Sequence, residues 1–123
     1  MSEVVKLNIK PTEVNPTIDA CADTIFIFRI IDGGGSPVDI SNYTAKMQVR
    51  PYPGAKKLYD ELTTENSRLF VEGDSITIKF PAAVSSKYEF EMAVYDLYIN
   101  SPSGDRYRVA QGGVQISREV TLL

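Results

Sequence analysis

The chain contains no histidine, no tryptophan and a single cysteine. Without histidine it lacks the commonest general base and metal ligand, and the lone Cys21 can form neither an intrachain disulfide nor a thiolate cluster. A surplus of positive charge is missing too. Thirteen Lys and Arg stand against 16 Asp and Glu, for a net charge of −3 and a pI of about 4.9, whereas nucleic-acid-binding domains show a basic patch or a pI above about 9. The Lys56-Lys57 pair is too short for a phosphate track. The longest strongly apolar run, Ile25 to Phe28, falls far below the roughly twenty residues of a membrane-spanning helix. Met1 to Lys6 show no basic stretch leading into an apolar one, so no signal peptide is expected. These absences predict a chain that is not an enzyme, that folds in a cytoplasm, and that has no nucleic-acid or membrane partner.

What is present is a period of two. The 123 residues, 43% hydrophobic and 24% charged, fit one domain over 1–123. Val5, Leu7 and Ile9 alternate with Lys6, Asn8 and Lys10. Thr24 to Ile31 is apolar on both faces, which predicts a central strand or one covered on both sides. Gly33-Gly34-Gly35 follows, and with no helix after it the segment reads as a hairpin turn and not a phosphate loop. Tyr43 to Arg50 alternates cleanly, Leu58 to Leu62 is a short strand, and Leu69–Val71 with Ser75–Phe80 form a hairpin around Glu72-Gly73-Asp74. Pro81 to Ser86 allows one helical turn. Glu89 to Asn100 is the longest strand candidate, with Ala93, Tyr95, Leu97 and Ile99 on one face and Phe90, Met92, Val94, Asp96 and Tyr98 on the other. Arg106 to Ala110 returns, and Val114–Ser117 and Val120–Leu122 close the chain. About eight or nine strands with turns every eight to twelve residues predict an all-β fold, an antiparallel immunoglobulin-like sandwich. A small closed barrel is the alternative.

No chemistry emerges from this pattern. Cys21 lies between Asp19 and Asp23, which disfavour a thiolate, so it reads as structural. Ser86 and Lys87, adjacent on an extended chain, would point apart. Glu72 and Asp74, with Asp39 if the fold brings it near, could offer oxygens to Ca²⁺, but no known ligand spacing is present; no metal and no cofactor are expected. Asp96, inside the longest strand, needs a partner, for which Arg106 or Arg108 on the returning strand is suited. Tyr52, Tyr59, Tyr98 and Tyr107 fall in loops or on faces expected to be exposed, where tyrosine serves protein interfaces or sugar stacking. Together with the apolar Val120, Leu122 and Leu123 they are the interface candidates.

Pro37, Asp39, Ile40, Ser41 and Tyr43 to Arg50 resemble a segment of small β-sandwich proteins encoded among the tail and fibre genes of tailed bacteriophages. Leu62 to Asn66, Tyr95-Asp96-Leu97, Gly104, Gly112 and Glu119-Val120-Thr121 look like the same pattern, which spans about residues 24–121 and is distantly similar to the amino-terminal module of baseplate upper proteins. The resemblance implies a virion structural or adaptor protein of the tail, baseplate, fibre attachment point or capsid surface. Its partners would be other virion proteins, including further copies of itself. A carbohydrate-binding or host-adhesion module, using Tyr52, Tyr59 or Tyr107 against a surface glycan, is the rival reading.

Overall fold

The computed structural model describes residues 2–6 and 11–121. They form two β-sheets packed face to face, as the strand spacing predicts. The strands are β1 (Ser2–Lys6), β2 (Thr12–Glu13), β3 (Thr17–Asp19), β4 (Thr24–Ile31), β5 (Thr44–Arg50), β6 (Asp60–Thr63), β7 (Leu69–Glu72), β8 (Ser75–Phe80), β9 (Met92–Asn100) and β10 (Arg106–Ser117). A single helical turn, α1 (Ala82–Ser85), falls where Pro81 opens it, and Asp23 Oδ1 accepts a hydrogen bond from Ala82 N at 2.8 Å.

The smaller sheet runs β1-β4-β8-β7; the larger runs β2-β10-β9-β5-β6, with β3 also on the edge of β10. The centre of each sheet is antiparallel: β7–β8 and β9–β10 are hairpins of consecutive strands, which can pair only that way, and β4–β8 and β5–β9 bring together strands distant in sequence. Three outer pairings are parallel: β1 with β4, and β2 and β3 with β10. β2 and β3 add to the strands counted from sequence, and each parallel pairing joins segments separated by a crossing from one sheet to the other.

Alternation decides the core. Phe26, Phe28 and Ile30 of β4 and Ile76, Ile78 and Phe80 of β8 face Ala45, Met47 and Val49 of β5 and Ala93, Tyr95, Leu97 and Ile99 of β9. Burial of each large side chain contributes roughly 1.5–3 kcal/mol. In β10 the register slips between Arg108 and Ala110, so Val109 and Ala110 are both buried where strict alternation would expose one.

Several expectations change. The strand does not stop at Gly112-Gly113; β10 passes through it. A Cβ at Gly112 would lie 2.2 Å from Val14 O, so glycine admits the neighbouring chain, which Tyr95 Oη ties down by donating to Val14 O at 2.6 Å. Leu58 precedes β6, and Phe90 is buried ahead of β9. Val120 lies in no strand and is 97% exposed. Leu7, Ile9, Leu122 and Leu123 lie outside the described residues. Finally, β4 is central in its sheet yet covered on one face only, since Ile25 and Ile27 point outward and remain exposed.

Candidate functional site: the two outer sheet faces

With the inner faces occupied by packing, the outer faces carry what the chain can offer a partner. On the larger sheet, Lys46, Gln48 and Arg50 of β5, Asp96, Tyr98 and Asn100 of β9 and Arg106, Arg108 and Gln111 of β10 line a broad concavity of about 1310 Å³. The loop after β5 forms one wall. Arg50 shapes it, donating from Nη1 to Ala55 O at 3.0 Å and from Nη2 to Gln48 Oε1 at 2.7 Å, and Gly54 supplies the turn at φ 81°. Tyr52 stands on this wall, 62% exposed.

Asp96 lies inside the concavity. Burial pushes its carboxyl above the ordinary aspartate range, against the opposing pull of Arg108 and Arg50. Arg108 Nη1 is 3.9 Å from its Oδ2, so the cross-strand partner expected from sequence is present but loosely held. Beside it, Arg106 Nε donates to Asn100 Oδ1 at 3.2 Å and Lys46 pairs with Glu61 at 3.7 Å. The surface is polar and hydrogen-bonded across strands. Five cations, Lys46, Arg50, Lys56, Arg106 and Arg108, line it against Glu13 and Asp96.

The tyrosines do not form one platform. Tyr52 and Tyr98 share the concavity. Tyr59 instead packs against the core, stacked on Phe90 with ring centroids 4.3 Å apart, and Lys57 Nζ sits 5.5 Å from its centroid. Tyr107 pairs with Ile99 on the opposite side of β10 from Arg106 and Arg108. Tyr52, Tyr59 and Tyr107 therefore lie on different parts of the surface.

The reactive candidates are engaged in structure. Glu119, as acceptor for the thiol and as a nearby charge, pushes the Cys21 thiol up together with partial burial. Sequence neighbours pointed to Asp19 and Asp23; the fold supplies Glu119. Ser86 Oγ donates to Ala83 O. Ile40 N donates to Gly73 O at 2.8 Å, so Asp39 does lie near the Glu72–Asp74 turn. Asp74 is nonetheless held by Arg29 Nη2 at 2.9 Å, and Asp39 accepts from Ser41 N at 3.0 Å and from its hydroxyl. No group of three acidic, cysteine or histidine side chains suited to a metal ion occurs among the described residues.

A network that the sequence does not announce joins the two sheets. Arg68, just before β7, donates to both carboxylate oxygens of Asp60, the first residue of β6, at 3.2 and 2.8 Å, and Tyr88 Oη donates to Asp60 Oδ2. The outer face of the smaller sheet is of another kind. Ile25, Ile27, Phe70 and Val4 are all exposed there.

No family model matches the chain, and no curated protein matches it. Its fold is similar to that of the N-terminal domain of phage TP901-1 ORF48, with a TM-score of 0.57 and 8% sequence identity, over 94% of this chain and 98% of that chain.

Proposed function

We propose that the chain is a non-enzymatic structural or adaptor component of a bacteriophage virion, acting through protein–protein contacts. The observation that carries this reading is the fold likeness to a phage protein domain along nearly the whole of both chains. It agrees with the resemblance carried by Asp39 to Arg50 and Tyr95-Asp96-Leu97. The use of the fold supports it as well: Cys21, Asp39, Asp74 and Ser86 hold turns and ends, and the two outer faces are left as surfaces for partners. In this reading the chain folds in the host cytoplasm and is carried into the particle. It sits there at the tail, baseplate, fibre attachment point or capsid surface, among other virion proteins and further copies of itself. The exposed Val120 and Tyr52 are contact residues. Mass spectrometry of particles purified through a density gradient tests this. Peptides of this chain at a fixed ratio to a major virion protein are the expected result, and their absence from intact particles overturns it.

A further inference from the structure

We infer that the outer face of the smaller sheet is the interface of a homodimer, in which two copies pack face to face with their strands antiparallel. A strand with one solvated face alternates apolar with polar residues. β5 does so, presenting Lys46, Gln48 and Arg50 outward, but β4 places Ile25 and Ile27 at its outward positions. The register gathers this apolar surface. Phe70 of β7 pairs with Thr77 of β8, and Thr77 pairs with Ile27 of β4, so the three form a row across the sheet. Ile25 follows on one side and Val4, beside Arg29 on β1, on the other. Phe70 and Ile25 keep 55% and 50% of their surface exposed, and contiguous apolar surface of this kind marks an interaction site.

The charges around the row identify the occupant. Lys79 points outward beside Ile25 on one flank of the apolar row; on the other, Glu72 and Arg29 point outward on either side of Ser75, and Asp74 offsets the charge of Arg29, leaving that flank acidic. A two-fold axis across the strands lays the apolar row of one copy on that of its partner. It also exchanges the flanks, so each Lys79 lies above the partner's Glu72 flank. The face is thus complementary to itself, as a two-fold interface requires, and sheets packed in this way cross at about 30°. Four strands about 4.8 Å apart and six residues at about 3.3 Å give a patch about 20 Å square. That is about 400 Å² per copy, below the size of stable interfaces, and the dimer is correspondingly a weak one.

Sedimentation velocity of the full chain, from a few to several hundred micromolar, tests the inference. A species of twice 13.6 kDa is expected to grow in over this range. Phe70→Glu, on an exposed edge strand, and Ile27→Asp should each return it to the monomer while the circular dichroism stays unchanged. Should Ile27→Asp unfold, Phe70→Glu still decides. Lys79→Glu and Glu72→Lys should each weaken association several-fold, and the double variant should restore it. A wild-type chain that stays monomeric throughout, or a dimer that survives in folded Phe70→Glu, overturns the inference; a double variant without recovery overturns the antiparallel arrangement. The inference goes beyond the virion reading and stands apart from it, because mass in solution and presence in particles are separate measurements.

Discussion

Arg68 grips Asp60 from the opposite sheet with two charge-assisted hydrogen bonds, and each side chain is only 14% exposed. Arg68 leads into β7 and Asp60 opens β6, so this pair fastens the edges of the sandwich. Removing one partner of a mostly buried pair leaves the other charge without compensation. Arg68→Ala is expected to cost about 2–3 kcal/mol, or a fall in Tm of roughly 8–12 °C at about 4 °C per kcal/mol for a domain of this size. Arg68→Lys should recover only part of it, since an ammonium cannot reproduce the fork. Lys46→Ala, which breaks an exposed pair with Glu61, should stay within about 0.5 kcal/mol of wild type. Thermal denaturation of the three variants makes the comparison.

Tyr88 gives the same network an alkaline limit. Burial pushes its phenol well above the usual tyrosine value, reinforced by the Asp60 carboxylate it donates to and opposed by Arg68. Below about pH 10 both folded and unfolded chains keep this proton. Above it the unfolded chain releases the proton while the folded chain retains it, so stability falls as pH rises, by at most about 1.4 kcal/mol per pH unit. Denaturant titrations between pH 9 and 11 should show this slope in the wild type. It should be shallower in Tyr88→Phe, which has no proton to lose there.

Asp96 works in the other sense. Its raised pKa, caused by burial and only partly offset by Arg108 and Arg50, means that the folded chain holds this proton more tightly than the unfolded chain does. The associated stability is present below the unfolded aspartate value, about pH 3.9, and is lost as pH rises through the higher folded value. Asp96→Asn should therefore match or exceed the wild-type Tm at pH 7, and that advantage should vanish in acid. A lower Tm at pH 7 would show that the loose Arg108 contact outweighs burial.

Gly112 offers a test of close packing. A Cβ there meets backbone at Val14 O, so Gly112→Ala should cost up to about 3 kcal/mol as the edge strands are pushed from β10. Gly33, with open space within 4 Å of where a Cβ would lie, should accept alanine within about 0.5 kcal/mol. Urea unfolding of both variants separates the two cases.

These residues also mark what the sequence discloses. β5 and β9 are legible because each has one buried and one open face, and the period of two follows directly. The composition of β4 discloses that both faces are apolar, but not that one of them is left uncovered within its own chain. Glycine at 112 suggests a break by local rule; its purpose lies in Val14, which only the fold brings near. Tyr59 reads as exposed because its stacking partner Phe90 belongs to a distant segment. The Asp60–Arg68–Tyr88 network has no local period at all, and Glu119 reaches Cys21 from the far end of the sequence. Alternation reports on the surroundings of a strand; partners across the sandwich leave no such trace.

The parallel edge pairing has a mechanical consequence. Thr17–Asp19 run alongside Gln115–Ser117 in the same direction, with Thr12–Glu13 likewise beside Ala110–Gln111. Tension that draws the chain ahead of β2 one way and the chain beyond β10 the other loads these hydrogen bonds lengthwise. In that geometry they must give way together, whereas a hairpin peeled from its end opens one bond at a time. The short β2 and β3 thereby become a shear clamp along the edge of the larger sheet.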